Sequence, residues 1–287
     1  MRDFSFHAPT SLNDVYGLLN EHGEEARLIS GGTGLVNMMK QDLIAVDHLV
    51  SLARLPNLNY IRWTGEGLQV GGLTTQQEMA TSDVVHQNIP LLAETFSEVA
   101  TVRVRNTATV GGGVAHGDPA QDPPSSLLVL DASITIASAG GERSVRLRDG
   151  WFEDYYTTAI EPGEVVVGLS VPPAPANAKT SYTKFLPRTK DDYPTVAISA
   201  LGVVEGGVIT DIRIGLGALN TTAVYSEAVP SVLLGKAPTM DLLREAAQGV
   251  VDEVSPTPDF RGSAEYKTDM AVVFTRRALQ EGLGVEG

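Results

Sequence analysis

The sequence predicts an α+β protein, and three features carry that prediction. Short β-type and helix-type segments follow one another irregularly, without the strand-by-helix alternation of a doubly wound sheet. Two glycine-rich stretches, 30–34 and 111–113, each come directly after a strand-like or β-branched run. A Pro- and Ala-rich connection, 171–181, separates a longer N-terminal part from a smaller C-terminal one.

Composition narrows the class. The chain has 287 residues, 43% hydrophobic and 20% charged, enough for the cores of two or three domains. Its apolar runs fall well short of the ~18 residues of a membrane span. The N-terminal residues lack the apolar core of a signal peptide, so a cytoplasmic protein is expected. A net charge of −14 with no basic block argues against nucleic-acid binding. There is no cysteine, which excludes disulfides, thiolate nucleophiles and cysteine-ligated zinc or iron–sulfur clusters in this chain. The histidines at 7, 22, 48, 86 and 116 are scattered with no HxxxH spacing, so no histidine-based metal site is expected.

Along the chain, Ser11 can cap a first helix in which Leu12, Val15, Tyr16 and Leu19 recur at helical spacing, and Gly23 stops it. The short strand ARLI (26–29) runs into SGGTGLVNMMK (30–40), whose later part is helix-compatible. Beyond Pro56 the pattern turns to β, with YIRW (60–63), LQVGG (68–72), SITIAS (133–138) and VVVGLSV (165–171) reading as strands. Two helices interrupt them: one carries Thr75 and Glu78 as a capping box, the other is PLLAETFSEVA (90–100). After the connection, TSYTKFL (180–186), TVAISALGVV (195–204) and VITDIRIGLGAL (208–219) predict an antiparallel sheet, with Gly206 and Gly207 as a two-residue hairpin turn. A helix from about Thr239 aligns Leu243, Ala246, Ala247, Val250, Val251 and Val254, and a last one covers about 264–279; both stripes are core.

The chemistry concentrates in TVGGGVAHGDPAQDPP (109–124). Glycines let a backbone turn at positive φ and bring N–H groups close to a ligand. Successive N–H groups aimed into one concavity favour an anion, most often a phosphate. Prolines at 119, 123 and 124 rule out a helix through the aspartates, which sets Asp118 and Asp122 on a stiff loop. A phosphate cradle followed by carboxylates suits a nucleotide; a tight turn in a β-rich protein is the other reading. The upstream stretch SGGTGL (30–35) lacks the spacing of a Rossmann fingerprint and the GK[ST] of a P-loop. It is a phosphate loop of another design or a structural turn, and two such loops in one chain weigh against turns alone. The polar loop PRTKDDYPT (187–195) reads either as a solvated connection or as a support for an aromatic ring over a planar ligand.

Together these residues resemble the FAD-binding middle subunit of the molybdenum hydroxylases, the family of CO dehydrogenase and xanthine dehydrogenase. The paired loops carry the resemblance, and RNTATVGG (105–112), TAIEPGEVV (158–166), YTKFLPRTKDDY (182–193) and RGSAEYKTDMA (261–271) extend it over essentially the whole chain. GDPAQDPP, TAIEPGE and the Asp-Tyr after TKD look closest to the CO dehydrogenase type. The resemblance implies a two-subdomain FAD-binding domain of the PCMH/vanillyl-alcohol-oxidase-like type at 1–177, divided into about 1–58 and 59–177. A C-terminal α/β domain of the CO-dehydrogenase-flavoprotein kind, with an antiparallel sheet and helices, would follow at 178–287. It also implies that Leu28, Ile29, Ser30, Gly31, Gly32, Thr33, Gly34 and Leu35 wrap the FAD pyrophosphate together with Thr109, Val110, Gly111, Gly112 and Gly113. Asp122, Val166 and Lys184 fall at further cofactor contacts, and Tyr193 at the residue that shields one flavin face. The chain departs from the CO dehydrogenase pattern at Thr33-Gly34, where those relatives have His-Ser, and at Gly113, where Asn is common.

What the resemblance implies for function is an oxidoreductase subunit with no catalytic nucleophile or base of its own. It would receive electrons from iron–sulfur clusters and pass them through FAD to an external acceptor. Its partners would be a large molybdenum-binding subunit with a molybdopterin-cytosine-dinucleotide-type cofactor and a small subunit with two [2Fe-2S] clusters, as a dimer of heterotrimers. Two other readings stand beside it: a free-standing FAD-dependent reductase of MurB-like fold, and a non-redox nucleotide-binding assembly subunit.

Overall fold

The computed structural model describes residues 2–285. The first helix, Leu12–His22, forms where the apolar spacing requires it, with the Ser11 hydroxyl accepting the Asp14 N–H and Gly23 ending it at φ +51°. It is one of two crossovers in a small parallel sheet ordered Ser5–His7, His48–Ser51, Ala26–Ile29. The other crossover contains the short helix Leu35–Lys40. Parallel neighbours need such connections, and strands of three or four residues are too short to show alternation in a sequence.

A five-stranded antiparallel sheet follows, ordered Ile61–Thr64, Gly67–Gly71, Val165–Val171, Ser133–Ser138, Gly141–Arg146. Its central strand, Val165–Val171, is apolar along both faces because both faces are covered. Val165 and Val167 pack with Val15 and Val50 of the first unit, whereas Val166, Leu169 and Val171 face the helical core around Phe96, Leu127 and Ile134. A register shift between Val166 and Gly168 exchanges the faces between those two sets. Asp83–Asn88, Val102–Arg105, Val110–His116 and Pro123–Val129 are helices that the sequence reading did not separate from their surroundings.

The helix Gln76–Thr81 begins with the expected capping box: Glu78 N–H donates to the Thr75 hydroxyl, and Glu78 carboxylate accepts the Thr75 N–H at 2.7 Å. Thr75→Ala is expected to lower stability by about 1 kcal/mol in urea unfolding. An unchanged midpoint would mean that the cap contributes nothing.

The C-terminal sheet runs Lys179–Phe185, Val196–Glu205, Val208–Gly217, Val224–Tyr225, all antiparallel. Gly206 and Gly207 have φ of +59° and +82°, the positive pair that a type I′ hairpin demands. Helices Ala228–Leu233 and Ala264–Leu283 pack on the sheet, and the helix Met240–Gln248 packs against both. The expected single stripe from Thr239 to Val254 is split, because the α-helix Met240–Gln248 tightens into a 3₁₀ turn at Gly249–Asp252. The last helix runs beyond its expected end, as Ala264–Leu283. Among the described residues no helix is long and apolar enough to cross a membrane.

Candidate functional site

The two glycine loops meet across a cavity of about 720 Å³, within the ~300–1,000 Å³ of small-molecule sites. Residues Leu28, Ile29, Ser30, Gly31, Gly32, Thr33, Gly34 and Leu35 line one wall. Thr109, Gly111, Gly112 and Gly113 line another, and Asp122, Val166 and Tyr193 complete the perimeter. Val110 and Lys184 do not line it: Val110 is buried in the apolar core, and Lys184 lies behind Asp122.

The glycines at 111–113 act differently from the positive-φ turn that their run suggested. They form the body of the helix Val110–His116, with Thr109 as its N-cap. Their value is close approach. A Cβ on Gly112 would lie 2.6 Å from Ser30 Oγ, and one on Gly31 would lie 2.1 Å from the Thr107 carbonyl oxygen. One hydroxyl pair ties the loops together: Ser30 Oγ and Thr109 Oγ1 are 2.9 Å apart, and Thr109 Oγ1 also accepts the Gly112 N–H at 3.1 Å. Gly32, at φ +71°, turns the first loop. Among the described residues no protein group accepts a hydrogen bond from the backbone N–H of Gly31, Gly32, Thr33 or Gly34. Four such donors on one loop are what an anion cradle of successive amides would require.

Asp122 is not on a free loop. It sits at the N-terminus of the helix Pro123–Val129, because prolines at the first helical positions start a helix as readily as they interrupt one. That helix is wedged against the C-terminal sheet by a chain of buried hydroxyls: Thr95 to Ser126 at 2.6 Å, and Ser126 and Ser125 to Ser199 at 2.8 and 2.9 Å. The carboxylate accepts a short hydrogen bond from the Tyr182 hydroxyl and one from Lys184 Nζ at 3.1 Å. Lys184 also donates to the Glu98 carbonyl at 2.8 Å. Burial pushes the Asp122 carboxyl up to about 6, against the opposing pull of Lys184. Lys184 is thus a positioning residue for Asp122.

Tyr193 stands on the 187–195 loop, half exposed, with its phenol raised by burial and by the neighbouring Asp118 charge. The loop is anchored from the C-terminal unit. Arg261 reaches Asp192 at 2.9 Å and Asp259 at 3.2 Å, and its guanidinium lies 5.7 Å from the Tyr193 ring centroid. Hydrogen bonding to Arg261 holds the Asp192 carboxyl below its ordinary range.

Three residues of the site have no signal in the sequence. His116 packs where a side chain on residue 34 would go, its Nε2 lying 2.6 Å from the position of a Cβ on Gly34. The imidazole therefore takes the space that Gly34 leaves, and burial lowers its pKa. Gln76 lines the cavity with a buried Oε1 that has no protein partner. Trp151, fully buried, donates its indole N–H to the Val114 carbonyl at 2.9 Å and pins the second glycine helix from below. The four free amides as donors, the unpartnered Gln76 oxygen as an acceptor and a cradle that any Cβ at position 31 would disrupt fit what an FAD dinucleotide needs.

The comparisons with known proteins agree with this geometry. Residues 2–174 match the family model described as FAD binding domain in molybdopterin dehydrogenase, and 181–282 match the CO dehydrogenase flavoprotein C-terminal domain. The chain is 35% identical over 276 residues to the carbon monoxide dehydrogenase medium chain of Hydrogenophaga pseudoflava, covering 96% of each. It is 30% identical over 279 residues to the glyceraldehyde dehydrogenase medium chain of Sulfolobus acidocaldarius, covering 97% of this chain and 98% of that one. In structure it is similar to a chain of Hydrogenophaga pseudoflava carbon monoxide dehydrogenase lacking the Mo-pyranopterin moiety, with a TM-score of 0.95, 35% identity and coverage of 99% and 98%. With both halves of the chain matched and the cavity built from the loops that carry the resemblance, the protein belongs to the FAD-binding medium subunits of the molybdenum hydroxylases, oxidoreductase flavoproteins of the CO dehydrogenase and xanthine dehydrogenase type.

Proposed function

We propose that the chain is the electron-transfer subunit of a heterotrimeric molybdenum hydroxylase, assembled in the cytoplasm as a dimer of heterotrimers. Its partners in this reading are a large subunit with the molybdenum cofactor and a small subunit with two [2Fe-2S] clusters. The observation that carries the reading is a dinucleotide-sized cavity in a chain with no cysteine, because a thiolate-ligated electron donor must then come from another polypeptide. The FAD-binding domain is assigned to 1–177, with subdomains meeting near residue 58, and the C-terminal domain to 178–287. Bound FAD would supply the capacity to take up electrons singly and release them to an acceptor.

The rest is the work of this chain's residues. The amides of 31–34 would hold the pyrophosphate; the helix at 110–116, whose first N–H groups already donate to Thr74, Gly72 and Thr109, would flank it, with Ser30 and Thr109 locking the two loops at a fixed separation. Asp122, held by Tyr182 and Lys184, would accept a hydrogen bond from the cofactor, and Val166 would pack against it. Tyr193, on a loop tethered through Asp192 to Arg261, would control access to the flavin ring. The substrate of the complex belongs to the large subunit; the names of the relatives, carbon monoxide and glyceraldehyde dehydrogenase, differ in substrate around a similar medium chain.

Affinity purification of the native protein from its own cells tests the assembly. Co-elution of a large and a small chain with FAD, iron and molybdenum is expected; a lone yellow protein without metals would overturn the heterotrimer. Tyr193→Ala tests the gate. It should keep FAD and change the rate of reoxidation by external acceptors severalfold, and a wild-type rate would remove Tyr193 from that role.

A further inference from the structure

The sequence gives none of its histidines a metal-ligand spacing, yet the fold gathers three of them. His7 ends the first strand, His22 ends the first helix, and His48 opens the central strand of the parallel sheet. His7 Nε2 and His48 Nδ1 are 3.0 Å apart, the rings of His22 and His48 stack at 3.6 Å, and the His7 ring lies 5.3 Å from each. One nitrogen from each residue falls within 4.8 Å of the other two, the only such group among the described residues. Apart from the His7–His48 contact, no hydrogen bond within the described residues uses any of these imidazoles. None of the three lines the FAD cavity.

We propose that His7, His22 and His48 form a binding site for a divalent transition-metal ion, with zinc as the reference occupant. An all-imidazole set selects zinc, copper, nickel or cobalt over calcium and magnesium, which require oxygen ligands. A tetrahedral ion with metal–nitrogen bonds of about 2.0–2.1 Å sets its ligand atoms roughly 3.3 Å apart. The nitrogens therefore need to close by at most about 1.5 Å from their 4.8 Å limit. His22 is the last residue of an eleven-residue helix, where the helix dipole favours positive charge. Three protein ligands leave a fourth position for water.

The ion would join the first strand, the end of the first helix and the central strand, which otherwise meet through sheet pairing and the apolar packing of Val15 against Val50. His48 pairs across the sheet with both Ser5 and Ala26, so it lies between the first strand and the strand that delivers the first glycine loop. A metal here would stiffen the base of that loop from the opposite end of the strand Ala26–Ile29.

The test uses the untagged full chain with its FAD, stripped of metal by a chelator and titrated with zinc chloride in a calorimeter. One zinc per chain is expected, with a rise in thermal midpoint of about 5 °C when free zinc is 100-fold above Kd. His22→Gln and His48→Gln should each weaken binding about tenfold or more. His86→Gln, whose ring bonds the Ala80 carbonyl at 3.0 Å, should bind zinc as the wild type does. Electron paramagnetic resonance of the copper-loaded wild-type chain counts the coordinated imidazoles independently of any variant. Three nitrogens support the site; fewer than three, no saturable zinc binding, or wild-type affinity in His22→Gln would overturn it.

Discussion

Gly31→Ala is expected to purify largely without FAD. The added Cβ would sit 2.1 Å from the Thr107 carbonyl oxygen, 2.8 Å from its carbon and 2.9 Å from the Ala108 Cα. All three are backbone atoms, so no side-chain rotation relieves the contact, and one of the two cradle segments must move by close to an ångström. Overpacking of this kind costs ~1–3 kcal/mol, and here the displacement falls on the loop that carries the free amides. A loss of FAD affinity of about 10- to 100-fold follows, read as the flavin-to-protein absorbance ratio and by titration of the apoprotein. Gly113→Ala is the matched control. Its Cβ would be 3.3 Å from the ends of the Gln121 and Gln76 side chains, which can give way. FAD retention within about threefold of wild type is expected, consistent with the small overpacking that flexible side chains absorb. If Gly31→Ala kept its flavin as well as Gly113→Ala does, the close approach of the two loops would not be what shapes the cradle.

Asp122→Asn should remove a pH dependence from the stability of the chain. The folded-state carboxyl titrates at about 6, raised from 3.8 chiefly by burial. A raised folded pKa means that the native state holds the proton more tightly than the unfolded state. The contribution is therefore complete below the unfolded value and lost as pH rises through about 6. At ~1.4 kcal/mol per pK unit, the loss between pH 4 and 7.5 is about 2–3 kcal/mol. Carboxyls at Glu78, Glu164, Asp192 and Asp259 are lowered and act in the opposite sense, but they are common to both proteins and cancel in the difference. Urea unfolding of wild type and variant at the two pH values isolates the effect. The stability of the wild type relative to the Asp122→Asn variant should fall by that amount on going to pH 7.5; an equal difference at both pH values would place the titration elsewhere.

Local chemistry was readable wherever a short-range rule decides the conformation. The Ser11 and Thr75 caps, the glycine pair at 206 and 207, and the apolar faces of the terminal helices are settled by side chains within four residues of where they act. The two glycine loops were legible as a pair for the same reason, since a run without Cβ atoms is conspicuous in any sequence. Their conformation was not. Gly111, Gly112 and Gly113 are small because Ser30, Gly72 and two glutamines press against them from other parts of the chain, and those neighbours exist only after folding.

Long-range pairing decided the remainder. The parity change at Val166–Gly168 in the central strand and the recruitment of Lys184 to Asp122 depend on partners tens of residues away. The same holds for the histidines. Spacing along the chain held no metal pattern, because His7, His22 and His48 become neighbours only when two crossovers lay the strands Ser5–His7 and Ala26–Ile29 on either side of His48–Ser51. The α+β class, the caps, the turns and the family follow from the order of residues alone. Tertiary structure alone decided which side chains share a wall of the cavity and which share a ring stack, because burial and contact are properties of segments distant in the chain.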